Sequence, residues 1–173
     1  DRYLLRHETI SSDHYSMLHP RGQNIDSRIK CLKDLKDIGY QVGVGIMIGS
    51  PGQTIDHIIN DLFFMKEFQP QMVGMGPFIP HEQTPFKNKE SGKLRDVLHI
   101  ISIVRLMLPE VLLPSTTALG TIFPTGRELG IKAGANVVMP NLSPKGVRAK
   151  YTLYDGKICT GEEAAECIGC LTN

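Results

Sequence analysis

Apolar residues in this chain follow two alternating patterns, short unbroken runs and longer stretches in which they recur every three or four positions. The most telling run is QVGVGIMI at residues 41–48, which stops at Gly49-Ser50-Pro51-Gly52-Gln53-Thr54. With Val42, Val44, Ile46, Met47 and Ile48 and no clean polar alternation, it predicts a parallel strand covered on both faces. Gly43 and Gly45 leave room for something to approach its backbone. Thr54 then caps a helix in which Ile55, Ile58, Ile59, Leu62 and Phe63 have helical spacing, ending near Gln69 where Pro70 breaks it.

The same alternation extends along the chain. Residues 2–7 predict a strand, with Glu8 and Thr9 just beyond it and a polar loop through Pro20, Arg21 and Gly22. Ile25, Ile29, Leu32, Leu35 and Ile38 form one helical face that Gly39 stops. Cys31 lies beside that face, where a small buried thiol is expected. A strand at 72–78, an open loop through Pro80, His81 and Pro85, and a helix from about 93 to 108 follow. Residues 111–115 predict a short strand, 125–133 a short helix closed by Gly134, and 136–139 the last strand.

Five strands alternating with four helices imply parallel strands joined by right-handed crossovers, an α/β class. A closed eight-stranded (β/α)8 barrel needs about 250 residues, so these elements would form its second half; an open doubly wound sheet is the competing architecture. Residues 1–140 carry the barrel-like part, and residues 141–173, without sustained period, an irregular extension that holds three of the four cysteines.

Composition narrows the function classes. Nineteen Lys and Arg against eighteen Asp and Glu, with only short basic clusters, favour neither nucleic acid nor an anionic membrane. No apolar run approaches the ~20 residues of a membrane-spanning helix and no signal peptide opens the chain, so a cytoplasmic protein is expected. The chain begins at Asp1 and enters a strand almost at once, which suggests a piece of a longer protein.

In a parallel sheet the chemistry collects at the carboxyl ends of the strands, where Glu8, Gln53, His81, Thr116, Thr117 and Asn141 fall. Arg6 and Glu8 alternate onto one side of a strand end, with His7 turned away. Together they could bind a zwitterionic or hydroxyl-rich ligand, or simply neutralise each other. Arg28 is a second candidate for a carboxylate. The Gly49–Gln53 loop lacks the lysine of a P-loop and the order of a dinucleotide site, which leaves it as a backbone surface for a ligand without phosphate. Cys159-x7-Cys167-x2-Cys170 has the spacing of an iron-sulfur or zinc site, with a fourth ligand from elsewhere or from solvent; His81 or Cys31 could complete a zinc site, and unligated surface cysteines are the alternative.

Several strings are also familiar: residues 2–9 (RYLLRHET), 49–54 (GSPGQT), 74–81 (GMGPFIPH), Thr116-Thr117-Ala118, 134–141 (GANVVMPN) and 151–159 (YTLYDGKIC). They resemble the radical S-adenosylmethionine superfamily of biotin synthase, and within it the branch of [FeFe]-hydrogenase maturases. The resemblance covers nearly the whole chain, with the motifs in the family's order. It implies a (β/α)8 barrel enzyme that cleaves S-adenosylmethionine to a 5′-deoxyadenosyl radical and helps to build the diiron subcluster of the hydrogenase H-cluster. Its substrate would be a small iron-cyanide-carbonyl precursor, and its partners other hydrogenase maturation proteins.

By motif position, the resemblance implies that Glu8 holds the ribose of S-adenosylmethionine, Arg28 its carboxylate, and Ile79 borders its adenine. Arg6, Met72, Thr116, Thr117, Tyr151 and Tyr154 would line the precursor cavity. Cys159, Cys167 and Cys170 would ligate an accessory [2Fe-2S] or [4Fe-4S] cluster. The family's radical [4Fe-4S] cluster hangs on C-x3-C-x2-C, a motif missing from this chain, so its ligands and the activity belong to the full protein. A biotin synthase or methylornithine synthase, or a non-catalytic zinc or iron-sulfur scaffold, are the alternatives.

Overall fold

Residues 41–48 form the central strand because their side chains alternate between two different environments, a helix-covered core and a face almost bare of side chains. The computed structural model describes residues 1–139, 144–148 and 154–157. In it β1 (Arg2–Leu4), β2 (Gln41–Ile48) and β3 (Met72–Pro77) pair in parallel in that order, Tyr3 beside Val42 and Ile46 beside Met75. A second parallel pair, β4 (Pro114–Ser115) and β5 (Val137–Val138), continues the series. The join is Leu112, which accepts from the Val73 N–H at 2.9 Å and donates to the Gln71 carbonyl at 3.0 Å.

Each described strand thus lies beside its predecessor in the chain. A doubly wound sheet reverses its strand order at a switch point, whereas this progression is the one found along a barrel wall. The α/β class holds, and the order disfavours the open-sheet alternative.

Val42, Val44, Ile46 and Ile48 on one face of β2, with Val73 and Met75 of β3, are buried. They pack with Leu32 of α2 (Ile25–Asp37), Leu62 and Met65 of α3 (Ile55–Phe68), and Val97, Ile101 and Val104 of α4 (Leu94–Met107). Asn24 caps α2 by accepting from the Ser27 N–H at 2.9 Å. Thr54 caps α3 as expected, and the cap is reciprocal: Thr54 accepts from the His57 N–H while His57 Nδ1 accepts from the Thr54 N–H. The opposite face of the sheet presents Gly43, Gly45 and Met47 beside Met72, Gly74 and Gly76. A Cβ on Gly45 would run into the Gly74 carbonyl and lie 3.1 Å from the Arg6 Cγ, so what approaches this backbone is the neighbouring strand and an arginine stem.

Three helices depart from the sequence expectation. α1 (Ser12–Leu18) occupies the stretch expected to be loop; it buries only His14 and Tyr15, too few for an apolar period to show. α5 (Thr117–Ile122) precedes α6 (Gly126–Lys132), the helix expected there, and α7 (Lys145–Arg148) adds a single turn within the extension. β1 is shorter than expected, but Glu8 rejoins β2 by donating its N–H to the Gly45 carbonyl at 2.9 Å. Cys31 is exposed rather than buried, because it projects about 100° round the helix from the fully buried Leu32. Among the described residues no helix is long and apolar enough to cross a membrane.

The contact between β2 and β3 at Gly45 is directly testable. Gly45→Ala should lower stability to urea by about 1–3 kcal/mol, as overpacking does. Gly146→Ala, where a Cβ meets nothing within 4 Å, should change it by less than about 0.5 kcal/mol.

Candidate functional site

The bare face of the sheet opens at the carboxyl ends of the strands into a cavity of about 330 Å³. Leu4, Arg6 and Met47 line it from the first two strands, Gly74, Gly76 and Ile79 from β3 and its loop, and Thr116, Thr117 and Ala118 from the β4–α5 junction. Tyr154 closes one side, its hydroxyl 3.0 Å from Thr117 Oγ1. Asp155 holds this segment in place: its N–H donates to the Pro80 carbonyl at 3.3 Å and its Oδ2 accepts from the Glu82 N–H at 3.1 Å. Thr116 Oγ1 is buried without a hydrogen-bond partner, and a Cβ on Gly76 would stand 2.7 Å from it, so only glycine leaves this hydroxyl its place.

Arg6 and Glu8 do meet, with Arg6 Nη2 3.3 Å from Glu8 Oε2, but beyond the end of β1 and with Glu8 in a left-handed conformation rather than by strand alternation. That contact balances charge without satisfying hydrogen bonding. Arg6 Nη2 donates to the Ile46 carbonyl at 2.6 Å, while Glu8 Oε2 and Arg6 Nε are both buried with no hydrogen-bond partner. Arg6 and Thr116 line the cavity and Glu8 adjoins Arg6, so an unpartnered acceptor, donor and hydroxyl belong to this neighbourhood, a set that fits a ligand bringing both hydroxyls and acceptors. Arg28 reaches the same strand end from α2, donating Nη1 to the Arg6 carbonyl at 2.8 Å while its guanidinium lies 5.6 Å from the Tyr15 ring centroid. Met72 shares the bare face but stands one layer toward the amino end of β3 from the lining residue Gly74.

Other expected rim groups serve the protein itself. Gln53 accepts from the Gly49 N–H at 2.7 Å and donates to the Met47 carbonyl at 2.8 Å, which ties its own loop shut. A Cβ on Gly49 would meet the Gly92 Cα at 2.5 Å, and one on Gly52 the Met17 side chain, so these glycines make room for protein rather than for a ligand. His81 Nδ1 accepts from the Gln83 N–H at 3.1 Å within its loop. Asn141, Tyr151, Cys159, Cys167 and Cys170 lie outside the described residues. Among the described residues no group of three or more His, Cys, Asp or Glu is placed to hold a metal ion. A second cavity, of about 500 Å³, opens at the amino ends of the strands beside Arg2, Gln41 and Glu110, away from all these groups.

Two features escaped the sequence. His7, turned away from the cavity, meets Asp61 of α3 with both side chains fully buried. Behind the glycine loop His14 and His57 stack at 4.6 Å, with His14 Nε2 3.1 Å from the Pro51 carbonyl and 3.3 Å from Ser50 Oγ. Neither was legible, because the polar composition of α1 hides it and the face of α3 expected to pack inward, with Ile55, Ile59 and Phe63, is exposed, while Asp61 is buried beside Leu62 and Met65.

No family model matches the chain. It is 47% identical over 171 residues to the [FeFe] hydrogenase maturase subunit HydE of Thermotoga maritima, covering 99% of this chain and 49% of that protein. It is 34% identical over 151 residues to the 3-methylornithine synthase of Methanosarcina barkeri, covering 87% of this chain and 42% of that one. The crystal structure of methylornithine synthase (PylB) superposes with a TM-score of 0.68 at 34% identity, over 78% of this chain and 39% of that one. The chain belongs to the radical S-adenosylmethionine superfamily. It spans a little under half the length of these radical S-adenosylmethionine relatives, which are enzymes. The fold it shares with the solved relative is an α/β one with parallel strands.

The histidine stack gives this radical S-adenosylmethionine chain a pH signature. Burial pushes the His14 pKa below its ordinary 6.5; the Pro51 carbonyl opposes the shift, the His57 charge adds to it, and Asp61 and Asp13 oppose it. The unfolded chain therefore binds a proton more readily than the folded one, so stability is complete above about 6.5 and falls as pH drops toward the lowered folded value. The urea midpoint should decline from about pH 7.5 to about pH 5.5. His14→Gln, which keeps a donor for the Pro51 carbonyl, should decline less over the same range.

Proposed function

We propose that this chain is the carboxyl-terminal part of a (β/α)8 radical S-adenosylmethionine enzyme of the hydrogenase-maturase type, which helps to assemble the diiron subcluster of the [FeFe]-hydrogenase H-cluster. The observation that carries this reading is the 47% identity to a protein named as a hydrogenase maturase, maintained over 99% of this chain. Residues 1–140 complete the barrel wall, and residues 141–173 carry an accessory [2Fe-2S] or [4Fe-4S] cluster on Cys159, Cys167 and Cys170. The protein works in the cytoplasm with other hydrogenase maturation proteins.

In this reading Glu8 accepts the two ribose hydroxyls of S-adenosylmethionine, which suits a buried carboxylate oxygen that lacks a hydrogen-bond partner. Arg28 forks onto the ligand's carboxylate; a guanidinium has five N–H donors, and the Arg6 carbonyl takes one. Ile79, in the cavity wall, borders the adenine. Arg6, Thr116, Thr117 and Tyr154 offer donors toward a small iron-cyanide-carbonyl precursor whose cyanide nitrogens accept hydrogen bonds, with Met72 and Tyr151 completing its surroundings. A [4Fe-4S] cluster, on cysteines outside this chain, would supply the electron that cleaves S-adenosylmethionine to methionine and a 5′-deoxyadenosyl radical. This chain's residues orient the ribose toward the precursor and keep water from the space between them.

The likeness to methylornithine synthase in sequence and in fold favours a second reading, an enzyme of that activity, with an amino acid where the iron precursor would sit. Turnover assays with each substrate class separate the two.

Charge-assisted contacts contribute about 1.5–3 kcal/mol each, and ~1.4 kcal/mol is tenfold in affinity. Glu8→Ala and Arg28→Ala in the reconstituted full-length enzyme should therefore weaken S-adenosylmethionine binding by roughly one to two orders of magnitude in a calorimetric titration. Thr117→Ala should leave that affinity alone and slow turnover of the second substrate. Unchanged binding in the first two variants, with folding intact, overturns the assignment of these residues. Cys167→Ala combined with Cys170→Ala should remove the accessory iron and leave cleavage of S-adenosylmethionine largely intact.

A further inference from the structure

We propose that His7 and Asp61 are positioning residues that hold the Glu8 carboxylate beside Arg6 at the edge of the cavity; the inference rests on the reading of Glu8 as the group that meets S-adenosylmethionine. Glu8 has a φ of 66°, a left-handed conformation that a side-chain-bearing residue keeps only where its surroundings impose it. Three hydrogen bonds impose it here. The Glu8 N–H donates to the Gly45 carbonyl at 2.9 Å, the Gly45 N–H donates to His7 Nδ1 at 3.3 Å, and the Ile10 N–H donates to Asp61 Oδ1 at 2.7 Å. The residues flanking Glu8 on both sides are thus tied to β2 and α3, and the Glu8 carboxylate lies 3.3 Å from the guanidinium of Arg6, which lines the cavity.

The two anchors also meet each other. Because His7 Nδ1 accepts from Gly45, the imidazole proton sits on Nε2, which faces Asp61 Oδ1 at 3.5 Å. Both side chains are fully buried, and His7 packs its ring against Phe64 at 4.8 Å. An apolar pair would fill this space without desolvating a carboxylate. What an apolar pair cannot do is hold the Gly45 and Ile10 N–H groups and so fix the turn that aims Glu8.

The test uses the reconstituted full-length enzyme, with S-adenosylmethionine affinity from calorimetry and 5′-deoxyadenosine formation at saturating S-adenosylmethionine as separate readouts. Asp61→Ala and His7→Phe, the latter keeping the ring against Phe64, should each weaken affinity about tenfold and leave saturated cleavage within about twofold. Asp61→Asn retains an oxygen for the Ile10 N–H and should recover affinity to within about threefold of wild type. In a Glu8→Ala background Asp61→Ala should cost no further affinity, since there is no carboxylate left to aim. Wild-type affinity in folded Asp61→Ala and His7→Phe, or an equal loss with and without Glu8, overturns the inference while Glu8→Ala alone remains weakened. Wild-type affinity in Glu8→Ala itself overturns the reading of Glu8, and the inference with it. If Asp61→Ala fails to fold, His7→Phe alone and in the Glu8→Ala background decides the outcome.

Discussion

A parallel sheet covered by helices on one face must do something with the other, and here glycine keeps that other face nearly empty. Gly45 faces Gly74 and Met47 faces Gly76 across the β2–β3 pair, while Val44, Ile46, Val73 and Met75 take the core side. The core therefore draws its packing from one side of each strand, and the opposite side is low enough for the Arg6 stem and the Thr116 hydroxyl to lie over it. Without those glycines neither group could stand where it does, and the cavity at the strand ends would be filled by the sheet's own side chains.

Polar groups brought to this rim are partly satisfied, which is what gives the site its direction. Arg6 spends one nitrogen on the Ile46 carbonyl and balances Glu8 in charge, yet leaves Nε and the facing carboxylate oxygen without hydrogen bonds. In the proposed reading these atoms find their counterpart in a ribose and an amino-acid carboxylate, and the chain spans a little under half the length of its radical S-adenosylmethionine relatives.

Legibility followed burial. The 41–48 strand, the helix that buries Ile25 and Leu32 and the Thr54 cap were readable from apolar period and cap chemistry, whereas the core-facing side of α3 was not, since Ile55, Ile59 and Phe63 of the expected face are exposed and Asp61, Leu62, Met65 and Phe68 are buried instead. α1 was not, since a helix that buries a histidine and a tyrosine among Ser and Asp shows no apolar period. Gln53 was expected to face a ligand and instead closes its own loop, because its side-chain amide folds back onto the strand end, with its oxygen on the Gly49 N–H and its nitrogen on the Met47 carbonyl. Cys31 was read as core from its neighbours, but one step round the helix carried it to the surface. The His7–Asp61 pair spans too many residues for spacing to reveal, and only the fold brings it together.

Everything proposed for this rim turns on what meets the Glu8 carboxylate. A crystal structure of the reconstituted full-length protein with S-adenosylmethionine tests it most directly. Both ribose hydroxyls should lie within about 2.5–3.0 Å of the Glu8 oxygens, with the His7–Asp61 pair unmoved. A ribose bound elsewhere, with Glu8 still facing only Arg6, would contradict it.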